Sequence, residues 1–177
     1  MSAPHVPQLP LSELAVLALL AQGATHGFAL SRELAPDGVV GKVWTVSRPR
    51  IYRAIHRLTE LALVEPVGTE PGDTGPPRTV VAATALGRAQ ADRWLSEPVA
   101  HLRDMRSELL LKLVLCHRAG IDTQGLLVAQ QQRFGPIVER LTATAEQATG
   151  IDRLIFTWRA GSARALTDML DDLLPKP

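Results

Sequence analysis

One stretch constrains the fold more than any other: SRPRIYRAIHRLTELALV, residues 47–64, which must be a helix with one buried side. At 100° per residue, Ile51, Ala54, Ile55, Leu58, Leu61 and Ala62 fall on a single apolar stripe. Arg50, Arg53 and Arg57 share a separate arc about 60° wide. From Lys42 to Arg57 the chain carries five basic residues (Lys42, Arg48, Arg50, Arg53, Arg57) and no Asp or Glu. A helix anchored on one side and purely cationic on the other suits a polyanion. The major groove of DNA admits one helix, and guanidinium forks pair with guanine edges or phosphates. A solvated, arginine-rich surface helix is the alternative that the same pattern allows.

The flanking segments supply a frame for that helix. Ser12 is placed to cap a first helix with Glu13 in its opening turn, and LAVLALLA (14–21) is apolar nearly all round, which predicts burial. A second helix is expected from Gly27 to Ala35, stopped by Pro36, Asp37 and Gly38. Ser47 is expected to cap the third helix, where Pro49 is tolerated in the first turn. VEPV (64–67) reads as a strand that Pro66 confines to an edge. The Gly- and Pro-dense loop 68–77 leads into a return strand, RTVVAAT (78–84), and Thr84 is expected to cap a helix through about Ser96. Three helices followed by a two-stranded wing is the winged helix-turn-helix order. Beyond Glu97–Pro98, three further helices are expected, over about 99–118, 122–148 and 152–174. The expected fold is thus mainly α, divided into residues 1–97 and 98–177.

Bulk properties narrow the function. Net charge is only +1, with nine Lys/Arg against eight Asp/Glu in residues 1–96 and ten against ten in 97–177, so a nucleic-acid footprint must be a local patch. The single cysteine, Cys116, excludes an intramolecular disulfide. Cys116 and His117 diverge by about 100° on a helix and cannot form a nucleophile–base pair by themselves. The chain has no Gly-rich phosphate loop, paired-carboxylate motif or metal-ligand spacing, so no enzyme activity, metal or cofactor is expected. With no apolar run long enough to span a bilayer and no leader pattern, a cytoplasmic location is expected.

Several segments, in order, resemble the PadR family of transcriptional regulators. HGFAL (26–30) is similar to that family's His-Gly-aromatic-x-Leu, SRPRIYRAIHRL (47–58) to its recognition helix, and GPPRTVVAATALGRA (75–89) to its wing. RDMRSELLLKLVL (103–115) and LIFTWRAGSARALTDMLDDLL (154–174) resemble its longer C-terminal dimerisation domain. Leu61-Ala62-Leu63 stands where the family has Glu-Gly-Leu, so the glycine that ends the recognition helix is missing. The resemblance implies a winged domain at 1–97, a dimerisation domain at 98–177, and a homodimeric repressor on a pseudo-palindromic operator, released by a small molecule.

Candidate residues follow. Arg48 and Arg50, nearest the helix N-terminus, are expected to read bases, and Arg53 and Arg57 to meet phosphates. Ser47 at the same N-terminus can hold a phosphate, and Lys42 can touch the DNA backbone. Tyr52 resembles the family's phosphate-contacting tyrosine. In the wing, Gly75, Arg78 and Thr79 are the expected contacts. His26 reads as structural. The expected dimer seam comprises Leu102, Leu109, Leu113, Leu154, Ile155, Trp158, Leu166, Met169, Leu170 and Leu173. Trp44, Trp94 and Phe134 are candidates for an effector pocket, although scattered aromatics more often fill a core. The competing reading is a module whose winged domain binds a protein instead of double-stranded DNA.

Overall fold

Pro10 opens the first helix, because a residue without a free N–H fits a position where that donor has no partner. Its carbonyl accepts from the amides of Glu13 and Leu14 at 2.9 and 3.1 Å. The structure is a computed structural model and describes residues 8–72 and 77–174. Helix α1 (Leu11–Gln22) therefore starts one residue before Ser12, which is buried inside the helix and does not cap it. Residues Ala15 to Leu20 are all buried, as their unbroken apolar run requires.

A two-residue strand, β1 (Thr25–His26), follows. It escaped the sequence reading because two residues carry no periodicity. Helix α2 (Gly27–Glu33) is capped by His26, whose Nδ1 accepts from the Ala29 amide at 3.1 Å. A connection of successive turns, residues 34–47, then reaches helix α3 (Arg48–Glu60). Gly41 is obligatory in that connection, since a Cβ there would lie 1.7 Å from the Ala35 carbonyl oxygen. Strands β2 (Val64–Glu70) and β3 (Arg78–Ala83) complete an antiparallel sheet of order β1-β3-β2. Pro66 lies on the edge strand opposite Val81, and the register slips between Pro66 and Gly68. Thr84 caps helix α4 (Ala85–Ser96), accepting from the Gly87 amide at 3.1 Å.

The chain divides into two units. The first takes the described residues up to Leu95 together with helix α5 (Leu110–Ala119); the second takes Ser96–Leu109 and everything described from Gly120 onward. The sequence grouped residues 99–118 as one helix of the C-terminal region. Instead, a short 3-10 turn (Leu102–Asp104) and a π turn (Met105–Leu109) precede α5. Leu111, Leu115 and Cys116 of α5 join the core built on α1, and the Gln22 side chain donates to the Leu115 carbonyl at 3.1 Å. Leu113 thus sits on a helix of the first unit.

In the second unit, helices α6 (Gln124–Gln147) and α7 (Gly150–Leu173) pack as a hairpin. Phe134 and Gln130 of α6 are fully buried. Gln130 is satisfied by both backbone groups of Val99, accepting from its amide at 2.8 Å and donating to its carbonyl at 3.1 Å. Helix α7 buries Ala160, Ala163 and Leu170. Among the described residues, no helix is long and apolar enough to cross a membrane.

Candidate nucleic-acid interface

The site is built on α3. Ile51, Ala54 and Leu58 are buried on its inner stripe, and Arg48, Arg50, Tyr52, Arg53 and Arg57 are exposed. The first turn is closed by the Ser47 carbonyl, which accepts from the amides of Arg50 and Ile51 at 2.9 and 3.1 Å. The Ser47 hydroxyl makes no capping bond, contrary to expectation, and the residue is exposed. Pro49 removes one amide that would otherwise call for that cap.

The far end of α3 solves the missing-glycine problem at a cost. The Leu63 amide donates to the Leu58 carbonyl at 2.9 Å, and the Ala62 amide to the Thr59 carbonyl at 3.0 Å, the paired bonds of a Schellman motif. Ala62 takes the left-handed conformation at φ 54°, which an L side chain resists by about 1 kcal/mol. Two neighbours hold it there. The Thr84 hydroxyl donates to the Ala62 carbonyl at 2.8 Å, and the Thr84 amide to the Leu63 carbonyl at 3.0 Å. Gly87 makes room, because a Cβ there would approach the Leu63 carbonyl oxygen to 2.0 Å.

The cations differ in availability. Arg53 has no ion pair among the described residues, and Arg50 reaches only the Ser12 hydroxyl, at 3.5 Å. Arg57 lies 3.7 Å from Glu60 on its own helix. It also faces Glu13 of α1, whose carboxyl is raised above its ordinary range by burial, with Arg57 drawing it partly back. Of the arginines on α3, Arg57 is therefore the one most engaged by carboxylates. Lys42 is exposed in the turn between α2 and α3.

The wing comes close to the helix. Arg78 is half-buried at the start of β3, and Thr79 beside it is exposed. Gly75, the expected wing tip, lies outside the described residues. The aromatic of HGFAL, Phe28, is the residue the sequence reading missed as part of this site. Its ring has the Arg78 guanidinium at 4.7 Å and that of Arg48 at 5.7 Å. Arg48 also lies 5.8 Å from the Tyr52 ring. Tyr52 is seated against Gly27, where a Cβ would lie 2.8 Å from the ring, so the glycine of HGFAL serves the tyrosine of α3. His26 fixes the base of this cluster, capping α2 through Nδ1 with Nε2 at 3.6 Å from Glu70 of β2. An aromatic directly after His26-Gly27, in the first turn of the expected second helix, was the available signal in the sequence. His26, Phe28, Arg48, Tyr52 and Arg78 line a cleft of about 530 Å³.

The remaining candidates fall into place elsewhere. Trp94 and Phe134 are buried, Trp94 with the Lys112 ammonium at 5.2 Å from its ring, and Trp44 is half-buried against the core of the first unit. Trp94 and Phe134 therefore fill core positions and do not line an open effector pocket. Leu109 and Leu170, expected at a seam, are likewise fully buried within the chain. Leu102, Leu113, Leu166 and Met169 are half-buried; Leu154, Ile155, Trp158 and Leu173 face outward. Cys116 is buried, and that burial pushes its thiol up, partly offset by Lys112. Among the described residues, no group of three His, Cys, Asp or Glu side chains could hold a metal ion.

Residues 16–93, from within α1 to near the end of α4, match the transcriptional regulator PadR-like family. A probable transcriptional regulator of Mycobacterium tuberculosis, Rv1176c, is 30 % identical over 96 residues, covering 54 % of this chain and 49 % of that protein. The chain thus spans about half the length of that curated relative. Among solved structures, Bacillus subtilis PadR in complex with operator DNA is 16 % identical, with a TM-score of 0.48 over 93 % of this chain and 97 % of that one. The smu.1604c protein of Streptococcus mutans is 14 % identical, with a TM-score of 0.44 over 90 % and 96 % of the two chains. The part of the chain that folds as a winged helix-turn-helix, residues 16–93, is thus similar to the PadR-like family of transcriptional regulators.

Proposed function

We propose that this protein is a PadR-type transcriptional regulator that acts as a homodimer, binds a pseudo-palindromic operator in double-stranded DNA, represses from it, and is released by a small-molecule effector. The observation that carries the reading is the outward face of α3: Arg48, Arg50 and Arg53 project opposite a buried apolar stripe, with Arg78 of the wing close by. In the bound state, Arg48 and Arg50 enter the major groove, and Arg53 and Tyr52 meet the backbone with Ser47 and Lys42. Arg78 and Thr79 reach the flanking groove or phosphates. Arg57 contributes least, since Glu60 and Glu13 already engage it.

Dimerisation is read from α7. Ile151, Leu154 and Trp158 are 75 %, 72 % and 72 % exposed, and apolar side chains so placed mark an association surface. A second copy docked there would fix the spacing between two recognition helices to match successive major grooves. An effector that prefers a differently spaced dimer would then lower operator affinity by population shift.

Changing Arg50 and Arg53 together to Ala tests the reading. A well-placed arginine–base pair such as Arg50's contributes about 1–3 kcal/mol of discrimination, and Arg53 adds a phosphate contact; with both lost from each protomer, affinity for a duplex selected by the wild-type protein should fall at least 100-fold, or by roughly 3 kcal/mol. Gel-shift titration measures it, and unchanged affinity rejects the assignment. Six to ten phosphate contacts per dimer, as an order-of-magnitude figure, imply a log–log salt slope of about −5 to −9.

A further inference from the structure

Two cations from two different elements converge on one ring. Arg48 belongs to α3 and Arg78 to β3, yet both guanidinium groups lie over Phe28, at 5.7 and 4.7 Å from its centroid. Phe28 is exposed and stands outside the apolar core cluster of its unit. Two like charges drawn to one place repel each other, and the negative face of an aromatic ring offsets that repulsion. An aliphatic side chain of the same bulk would cover the same surface without attracting either charge. Arg48 has a second ring beside it, Tyr52 at 5.8 Å, which is itself seated on Gly27 of the helix that carries Phe28.

We propose that Phe28 is a positioning residue for DNA recognition: its ring holds Arg48 of the recognition helix and Arg78 of the wing in one fixed relation, so that helix and wing present their charges as a single unit. This rests on the DNA-binding reading of α3 given above. Preorganising two long side chains lowers the freedom each must surrender on binding. It also ties the aim of the wing to the aim of the helix. Phe28 acts through both arginines and needs no contact with DNA itself.

The test uses the full chain, with Phe28→Leu and Phe28→Trp, each made alone and in an Arg48→Gln/Arg78→Gln background. The probe is a duplex selected by the wild-type protein from a random-sequence pool. With two exposed cation–π contacts removed, Phe28→Leu should weaken binding about 10-fold, while Phe28→Trp stays within about 3-fold of wild type. In the Arg48→Gln/Arg78→Gln background, Phe28→Leu should change nothing further, because the ring then has no charges to hold. A second readout needs no DNA: the Nε–H protons of Arg48 and Arg78 should be shifted upfield by the ring in NMR spectra, and Phe28→Leu should abolish the shift. Should the Leu variant fail to show a cooperative melt, Phe28→Met carries the same expectation. A wild-type-like affinity for Phe28→Leu, or an equal loss in both backgrounds, overturns the positioning role alone. A wild-type protein that shows the shifted protons but selects no duplex overturns the DNA-binding reading, and the positioning role with it.

Discussion

Helices α3 and α7 are both amphipathic, and they solve opposite problems. The apolar stripe of α3 is spent inside its own unit, with Ile51 and Leu58 fully buried and the arginines and Tyr52 among the residues left outside. The apolar stripe at the start of α7 is left open, with Ile151, Leu154 and Trp158 each more than seven-tenths exposed. A helix whose greasy side is satisfied offers water its polar chemistry, and that chemistry selects a polyanion. A helix whose greasy side is unsatisfied offers hydrophobic area, and that area selects another apolar surface. Substitutions on the exposed side of either helix should therefore spare folding and remove association. Substitutions around the buried side of α3 should do the reverse.

The largest effect expected is at α7. Changing Leu154 and Trp158 together to Asp should leave helix content by circular dichroism intact while the protein sediments as a monomer. Losing the second half of a bivalent grip should cost about 100-fold or more in DNA affinity. A dimer that survives this change would break the comparison, because the open stripe would then have another purpose.

The next effect is at the support of α3. Gly87→Ala would drive a methyl group to 2.0 Å from the Leu63 carbonyl oxygen. Backbone cannot yield as a flexible side chain can, so chemical denaturation should show a loss of about 2–3 kcal/mol. A neutral outcome would mean that α4 is not fitted closely to the end of α3.

Ala62→Gly works in the opposite direction. The left-handed backbone at φ 54° is free of Cβ strain for glycine, so stability should rise by about 1 kcal/mol, with DNA affinity unchanged. If it falls, the Thr84 contacts have already relieved the strain.

The smallest effect concerns Glu13. Burial raises its carboxyl from the ordinary 4.5 in the folded protein, against the pull of Arg57. The folded state therefore holds that proton more tightly than the unfolded chain. Stability falls as pH rises through the window from 4.5 up to the raised value, and stays reduced above it. Glu13→Gln should remove that decline and be at least as stable as wild type at neutral pH, measured by melts across the window. Arg57, losing one carboxylate neighbour, should then strengthen DNA binding slightly.

Much of this was legible in the chain. The stripe and arc of residues 47–64 and the Gly–Pro loop between β-patterned runs gave the helix-and-wing order, because helical and strand periods are local properties that few residues suffice to set. Thr84 as a cap and Pro66 on an edge followed from the donors those residues supply or lack. Caps at Ser12 and Ser47 did not follow, because Pro10 and Pro49 had changed which amides needed partners. Strand β1 is created by its pairing with Val80 and Val81, not by any preference of Thr25 and His26.

The sequence by itself determined which helix faces could be buried and which stretch carries unopposed positive charge, since both depend only on residue order and helical pitch. Only the tertiary structure decided that α5 belongs with α1, that Leu109, Leu170, Trp94 and Phe134 turn inward, and that Phe28 meets Arg48 and Arg78. Those outcomes depend on contacts between residues far apart in the chain, and periodicity fixes the side of a helix that seeks burial without naming what buries it.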